Sequence, residues 1–333
     1  MFIIKKSIYI FSKGILKRKD NTISFENDKG RKIVPVENIS DIFIFGEADI
    51  NKKLLELLSQ KNILLHYYNY YDYYMGTFYP REHLNSGHIL LQQAKHYLDS
   101  DKRMRIASKI CDGAIKNIIQ ILNYYNNRGK NIAAEKDSII RLNNKINECT
   151  DTAQLMSIEG NIREYYYKAF DKIIDNSAFR FEKRSKRPPR NELNSLISFC
   201  NSLLYNIILS EIYKTHLDPR IGYLHTTNYR RFSLNLDISE IFKPIIVDRM
   251  IFKLLSKKMI TKKDFDSKIE SVLIKDKGRE TIVKELDNRL NSTIKVRELN
   301  KQVSYRYLIR LELYKVEKHL LEEKEYKAYV SKW

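Results

Sequence analysis

The feature of this sequence that most constrains its fold is a change in hydrophobic periodicity at Tyr79-Pro80-Arg81. Before this point, short β-branched and aromatic runs are separated by turn-forming sequences such as Lys13-Gly14. That spacing is typical of hairpins in a small β-sandwich. After it, apolar residues recur every three or four positions, as they do in amphipathic helices. We therefore predict an α+β fold, with a small N-terminal β-sandwich over residues 1–78 and a larger all-α domain over residues 79–333.

Helical spacing predicts the positions of the main helices. They cover residues 51–60, 90–121, 132–146, a segment that starts after the N-cap sequence 149–152, and residues 191–213 and 304–320. A further helix carries Asp237 and Glu240, and we expect it to kink because the ring of Pro244 would clash with the Glu240 carbonyl. A mobile tail is one interpretation of the basic segment that leads to Trp333.

The composition favours a globular protein with a polyanionic partner. Apolar residues make up 43% of the chain, and 60 basic residues against 41 acidic ones give a formal net charge of +19. A positive field of this size attracts phosphate groups and releases their counterions. A merely solubilising surface is the alternative interpretation.

The spacing of the cysteines and the length of the apolar runs indicate the cellular compartment of the protein. Cys111, Cys149 and Cys200 are far apart and show no CxxC spacing, which argues against a zinc knuckle and a disulfide framework. No segment offers roughly 18 uninterrupted apolar residues, so we expect no membrane span. A cytoplasmic protein is the prediction.

Six tyrosines fall within the nine residues 66–74. Such a cluster is typical of an amphipathic surface at a domain or subunit interface, where tyrosine is enriched. A stacking platform for exposed bases is the alternative. We favour the interface, because a stacking site rarely needs so many rings side by side.

Residues 222–249 contain the side chains with the clearest chemistry. His225 can ligate a metal, and a helix would present Asp237 and Glu240 on one face, one turn apart. The segment therefore predicts half of a divalent-metal site that acts on nucleic-acid phosphates. Elsewhere, Glu159 lies at the edge of an apolar helical stripe, where burial would require a cation partner. Taken alone, a solvated glutamate is its more ordinary interpretation.

A basic segment precedes the apolar helix 191–213. Pro188 and Pro189 exclude this segment from a helix interior, and we favour a phosphate-binding track over a merely solvated loop. Its cationic residues are Arg180, Lys183, Arg184, Lys186, Arg187 and Arg190. Within the apolar helix, Asn194 and Tyr205 would need hydrogen-bond partners if buried, and these partners are either a phosphate or the protein core.

Several motifs, in their order, resemble one known family. They are IFGE at 44–47, NYYDYYMGTFYPRE, IEGNIREYYYKAF around Glu159, RPPRNELNSLISF, GYLHTTNYRRFSLNLDISEIFKPIIVDR and SYRYLIRLELYKVEKHLLEEKEYKAY. Together they resemble the CRISPR-associated spacer-acquisition integrases, the Cas protein numbered one, and most closely the versions from type I-B systems. The resemblance covers nearly the whole chain. One departure is Tyr229-Arg230, where many relatives have a glycine before the arginine.

The resemblance implies a dimerising N-terminal β-sandwich and a catalytic helical domain. It places the ligands of Mg²⁺ or Mn²⁺ on Glu159, His225 and Glu240, and a further carboxylate needed for activity on Asp237. It also places basic residues beside the site at Lys243 and Arg231, and polar residues lining the site at Asn194 and Tyr205. The implied partners are spacer and repeat DNA, a second copy of the chain, and a small ferredoxin-fold adaptation protein that bridges two dimers into a heterohexamer.

Three functions are compatible with these features. The first is a metal-dependent DNA endonuclease and integrase, in which a 3′-hydroxyl of a short duplex attacks a phosphodiester of the CRISPR repeat. The second is a non-enzymatic, basic helical scaffold that binds nucleic acid. The third is a metal-dependent nuclease of branched DNA, which shares the same site and differs only in its products. We favour the first, because a pure binding protein has no need of acidic and histidine side chains in a positive groove.

Overall fold

The computed structural model describes residues 5–81, 84–227, 232–267, 271–296 and 299–332. The chain forms two compact units, Met1–His83 and Leu84–Trp333. The first is rich in strands and the second in helices, so the α+β prediction is confirmed. The strands of the first unit are β1 (Lys6–Ile10), β2 (Gly14–Lys19), β3 (Thr22–Asn27), β4 (Gly30–Pro35), β5 (Ile39–Ile44), β6 (Ala48–Ile50), β7 (Leu64–Tyr68) and β8 (Tyr74–Phe78).

These strands form two four-stranded sheets with the orders β1-β5-β7-β8 and β4-β3-β2-β6. The predicted hairpins exist in β2-β3-β4, but β1, β5 and β7 run parallel to one another. Every residue of β5 is buried, as expected of a central parallel strand that is covered on both faces. Local turn chemistry could not reveal this arrangement, because parallel neighbours are joined by long connections.

The core of the first unit draws on both sheets and on helix α1 (Lys52–Lys61). Leu16, Ile42 and Leu57 are among its fully buried side chains. The tyrosine cluster divides between core and surface: Tyr68 is buried, whereas Tyr70 is 66% exposed. The buried ring serves packing, and both interpretations of the exposed rings stay predictions.

The second unit is built mainly from helices. They are α2 (Gly87–Leu98), α3 (Ser100–Asn126), α4 (Ala133–Asn144), α5 (Thr152–Ile174), α6 (Glu192–Ile212), α7 (Leu234–Phe242), α8 (Arg249–Ser256), α9 (Asp276–Asn291) and α10 (Tyr305–Leu320). The prediction of one helix over residues 90–121 is wrong. Two helices lie there, because the Asp99 side chain accepts a hydrogen bond from the Lys102 backbone N–H and starts α3.

Two short ladders correct the prediction of an all-α second domain. The strands β9 (Phe265–Ser267) and β10 (Val272–Ile274) pair antiparallel, as do β11 (Thr293–Val296) and β12 (Lys301–Ser304). Runs of three or four residues are too short to produce a recognisable alternation beside the helical pattern.

Helix α6 is the centre of the second unit. It is long and apolar enough to cross a membrane by length and composition, but 83% of its most apolar window is buried inside the protein. Both α7 and α10 pack against it. We conclude that α6 is a core helix that supports the segment carrying Glu240.

The segment after α10 forms a strap along the second unit, and the interpretation of a mobile tail is wrong. The Tyr326 hydroxyl donates to Glu312 Oε1 at 2.7 Å, and the Tyr329 backbone N–H donates to the same oxygen at 3.1 Å. The Ser331 backbone N–H donates to Asn117 Oδ1 at 2.8 Å. These bonds attach the strap to α10 and α3.

Candidate active site

A widened helical turn shapes the centre of the site. After α7 the backbone continues as a π-helical turn, Lys243–Asp248, so the regular α-helical ladder ends at Pro244, where the sequence predicted its disruption. Proline has no N–H to donate, so the regular helical ladder is broken there. Two backbone carbonyls in this region accept hydrogen bonds from side chains of other helices. Asn117 Nδ2 donates to Ile241 O at 3.0 Å, and Arg289 Nη2 donates to Ile245 O at 2.7 Å.

Asp237 is fully buried and organises the loop that leads to His225. Its Oδ2 accepts the backbone N–H groups of Tyr223 at 2.5 Å and Leu224 at 2.9 Å. Its Oδ1 accepts the backbone N–H of His225 at 2.9 Å and the ring Nδ1–H at 2.8 Å. This last bond fixes the tautomer and leaves the lone pair of Nε2 for a ligand, as in many metal-binding histidines.

The loop fits against α7 only because residue 222 is a glycine. A Cβ atom on Gly222 would lie 2.8 Å from the Ser233 carbonyl carbon and 2.9 Å from Asp237 Oδ2. The Gly222 backbone N–H instead donates to Ser233 Oγ at 2.8 Å. The start of α7 and the His225 loop are therefore joined as one unit.

The environment of His225 favours its charged form. Burial lowers the pKa of the imidazole, but the hydrogen bond and the negative charge of Asp237 outweigh burial, and the pKa lies above its ordinary value. The same carboxylate that orients the ring therefore also raises its proton affinity.

Glu159 and Glu240 are brought together by Arg163, a residue that sequence reasoning missed. The Arg163 Nε–H donates to Glu159 Oε1 at 2.9 Å, and Nη2–H donates to Glu240 Oε2 at 2.6 Å. Glu159 and Arg163 lie one turn apart on α5. The signal for Arg163 was available, because burial of Glu159 called for a cation and the position four residues later lies on the same helix face.

Glu240 also binds Lys243 through its other oxygen. Burial alone would raise the pKa of Glu240, but Lys243 and then Arg163 hold it well below its usual range. The Lys243 ammonium also lies 5.1 Å from the centre of the Tyr205 ring. Two buried cations thus compensate the charge of this carboxylate.

Asp248 is the second residue that sequence reasoning left without a role. It follows Glu240 at the end of the π-helical turn, and its Oδ2 lies 3.9 Å from Arg163 Nη1. Burial raises the pKa of Asp248 to about 7, although Arg163 and Lys243 act in the opposite direction. Its position beside Arg163 depends on how α5 packs against the π-helical turn, and no local sequence pattern predicts that packing.

The donor set fits a hard divalent cation by its chemistry. Two carboxylates and an imidazole with a free Nε2 suit Mg²⁺ or Mn²⁺. Among the residues that the structure describes, however, no group of three or more His, Cys, Asp or Glu side chains is spaced to hold a metal ion. In this conformation Arg163 and Lys243 supply the positive charge at Glu159 and Glu240.

Comparison with known proteins decides the family. The family model described as CRISPR associated protein Cas1 matches residues 8–288. A relative from Thermodesulfovibrio yellowstonii, named CRISPR-associated endonuclease Cas1 2, is 56% identical over 330 residues, which are 99% of this chain and 100% of that protein. The chain belongs to the Cas1 family. The family resemblance drawn from the motifs is therefore confirmed.

Solved structures agree with this assignment. A Cas1 protein from Thermotoga maritima superimposes with a TM-score of 0.89 at 48% identity, covering 97% of this chain and 99% of that one. A casposase bound to integration product shares the Cas1 fold, with a TM-score of 0.86 over 97% of this chain and 92% of its own. At 19% identity that likeness concerns the fold alone.

Within this Cas1 fold, most of the predicted phosphate-binding segment is exposed. Exposed cations are Arg180, Lys183, Lys186, Arg187 and Arg190. Desolvation and repulsion from Arg184 and Lys243 lower the pKa of Lys186. The negative charge of Glu240 acts in the opposite direction and raises the pKa of Lys186, so the two side chains lie near each other. The segment therefore lies beside the candidate active site, while its contact with DNA stays a prediction.

Arg184 and Asn194 hold the shape of that segment. Asn194 is fully buried, its Nδ2 donates to Lys183 O at 2.8 Å, and its Oδ1 accepts from Arg184 Nη1 at 2.9 Å and from the Ser185 backbone N–H at 3.2 Å. A phosphate and the protein core were the two predicted partners of Asn194, and in the structure its partners are protein groups. Arg231, predicted to bind DNA, and the unusual Tyr229-Arg230 lie outside the described residues.

Proposed function

We propose that this Cas1 family member is a divalent-metal-dependent DNA endonuclease and integrase that inserts short spacer DNA into the CRISPR repeat array. The observation that carries the proposal is the arrangement around Glu240. A histidine with a fixed tautomer, two carboxylates and two buried cations lie beside an exposed basic segment. The name of the relative from Thermodesulfovibrio yellowstonii, a CRISPR-associated endonuclease, supports nuclease chemistry.

Each residue has a role that follows from its contacts. Glu159, Glu240 and Nε2 of His225 would hold Mg²⁺ or Mn²⁺, and when bound the ion would lower the pKa of the attacking 3′-hydroxyl and neutralise charge on the phosphate. Asp237 keeps the His225 lone pair available by holding Nδ1–H. Lys243 places an ammonium group where it stabilises negative charge on the phosphate in the transition state.

The reaction is a transesterification at phosphorus. The 3′-oxygen of the spacer strand bonds to a phosphorus atom of the repeat and loses its proton, while a 3′-oxygen of the repeat leaves and gains one. No covalent bond to the protein is formed, so none of the described side chains needs to act as a nucleophile. The cations of the basic segment, including Lys183 and Arg187, would hold the strands through their phosphates.

The partners are part of the proposal. We infer a homodimer formed through the N-terminal unit, and a small ferredoxin-fold adaptation protein that joins two dimers into a heterohexamer. The family resemblance supports both.

The deciding experiment incubates the protein with Mn²⁺, a labelled short duplex and a supercoiled plasmid that carries a repeat. We expect labelled plasmid, and its loss by at least about 100-fold in Glu240→Gln. The matched control is Glu323→Gln, since Glu323 is an exposed glutamate of the same unit. Joining by Glu240→Gln would contradict the proposal. Cut but unjoined strands would favour the nuclease of branched DNA, and binding without reaction would favour the scaffold.

A further inference from the structure

Arg163 occupies the position between the two glutamates at the centre of the site. Its side chain is 10% exposed, and it contacts Glu159 through Nε and Glu240 through Nη2. A buried carboxylate needs a compensating cation or it takes up a proton. Arg163 supplies that charge to both carboxylates at once.

The third nitrogen of the same guanidinium is unsatisfied. Among the described residues, Arg163 Nη1, Asp248 Oδ2 and the Tyr166 hydroxyl are buried without a hydrogen bond of normal geometry, and the Tyr166 hydroxyl also faces Asp248. Arg163 Nη1 and Asp248 Oδ2 are 3.9 Å apart, which is too long for a hydrogen bond and short enough for a modest change of rotamer to close. Because unsatisfied buried charged groups are unfavourable, this unmade bond marks a second position for the guanidinium.

We propose that Arg163 is a displaceable counter-ion, which neutralises Glu159 and Glu240 in the metal-free protein and moves to Asp248 when a divalent cation takes the glutamate oxygens. This inference rests on the proposed metal site. Its physical basis is charge balance. A divalent cation added beside Arg163 and Lys243 would place three cations around two carboxylates, whereas the exchange gives Arg163 a carboxylate of its own.

Direct measurement of Mn²⁺ binding to the metal-stripped full chain tests the exchange. Arg163→Gln removes the competitor, and we expect Mn²⁺ to bind about tenfold more tightly and to raise the melting temperature more than in the wild type. Asp248→Asn removes the second position, and we expect binding about tenfold weaker. The control is Lys168→Gln, since Lys168 is an exposed cation on the same helix that pairs with Glu164.

The double variant separates displacement from simple long-range electrostatics. If Asp248 acts by receiving Arg163, then Asp248→Asn has little effect on Mn²⁺ affinity once Arg163 is glutamine, so the two changes are strongly non-additive. Additive effects, or an unchanged affinity in Arg163→Gln, would overturn the exchange while leaving the metal site in place. A wild-type protein that binds no Mn²⁺ would overturn the proposed function and the exchange together.

A second variant covers the case in which Arg163→Gln does not fold. Arg163→Lys keeps the positive charge, but a single ammonium group cannot reproduce the two-sided contact with Glu159 and Glu240. We expect it to bind Mn²⁺ more tightly than the wild type by a smaller factor. In its background, the effect of Asp248→Asn should shrink, and an undiminished effect would count against the exchange.

Discussion

At the scale of single residues, Asp237 has its acceptor sites filled by the loop that it holds. A carboxylate has about four lone-pair sites, and Asp237 receives hydrogen bonds from Tyr223, from Leu224 and twice from His225. Sequence left the rank of Asp237 beside Glu240 open and the resemblance made it a further carboxylate, and its contacts with the His225 loop fit a positioning residue. Substitution of Asp237 therefore acts through the ring of His225.

The pKa of His225 provides a test of this role. In the metal-free protein we expect the pKa of the ring to lie above its ordinary value, because the hydrogen bond and charge of Asp237, together with the charge of Glu240, outweigh the effect of burial. In Asp237→Asn the midpoint should move to lower pH. NMR titration of the ring protons measures both values. Equal midpoints in the two proteins would show that Asp237 does not control the ring.

The direction in which activity changes with pH follows from the same hydrogen bond between Asp237 and His225. Since a metal ligand must be the neutral imidazole, strand joining should decline as the pH falls through the raised pKa of His225. The acid limb of the pH profile therefore begins at a higher pH than an unperturbed histidine would give.

Sequence predicts the residues of the site better than their contacts. Residue type and spacing singled out His225, Asp237 and Glu240, and the family resemblance implied Glu159, His225 and Glu240 as the metal ligands, which stays a prediction. The need of a buried Glu159 for a cation was visible in its apolar stripe. Arg163 could have been named from its position one turn later. Asp248 could not, because its relation to Arg163 depends on the widened turn and on how α5 packs beside it.

At the scale of elements, the π-helical turn is supported from outside its own helix. Asn117 on α3 is fully buried and makes three bonds: to Ile241 O at 3.0 Å, to Tyr329 O at 3.0 Å and from the Ser331 N–H at 2.8 Å. One amide side chain thus joins the last turn of α7, directly before the π-helical turn, to the C-terminal strap.

Asn117→Leu tests that support. The substitution keeps the branched heavy-atom skeleton and removes the side-chain partner of three backbone groups, each at a cost of about 1–3 kcal/mol. We expect the free energy of unfolding to fall by about 3 kcal/mol or more, measured by urea denaturation. Asn123→Leu, on the half-buried surface of the same helix, serves as the control. A loss below about 1 kcal/mol would show that water or another group replaces Asn117.

Helices were predicted well where periodicity was long. The segments 191–213 and 304–320 correspond to α6 and α10 within one or two residues. The failures are local: strands of three or four residues are too short to show an alternating pattern, and the Asp99 N-cap that starts α3 was overlooked. These failures concern the strands β9 to β12 and the division between α2 and α3.

At the scale of the whole molecule, the charge predicts how binding depends on salt. Most of the formal net charge of +19 lies in the second unit, because the first unit has 13 Lys and Arg residues against 10 Asp and Glu residues. The size of the charge does not locate a DNA site within the second unit. The exposed cations beside Glu240 make the location specific. Each phosphate contact that they form should contribute about 0.9 to the slope of log affinity against log salt for duplex DNA.

Neutralising part of the basic segment tests that location. We expect the triple variant Lys183→Gln, Lys186→Gln, Arg187→Gln to lower the slope by about 2 to 3 and to weaken DNA binding at 0.15 M salt. The charge-matched control replaces exposed lysines of the first unit, Lys29, Lys32 and Lys53, by glutamine. Equal losses in both variants, measured by fluorescence anisotropy, would indicate a diffuse electrostatic attraction.

The strap also has a consequence for the order in which the molecule matures. Translation proceeds from the N-terminus, so Glu159, His225 and Glu240 leave the ribosome long before Tyr329 and Ser331, which share Asn117 with the turn after Glu240. At synthesis rates of about 5–20 residues per second, the delay between Glu240 and Tyr329 is roughly 4 to 18 s. A nascent chain that lacks Tyr329 and Ser331 would therefore carry every proposed ligand without the brace behind them, so the site would acquire its finished geometry only after the strap had been synthesised.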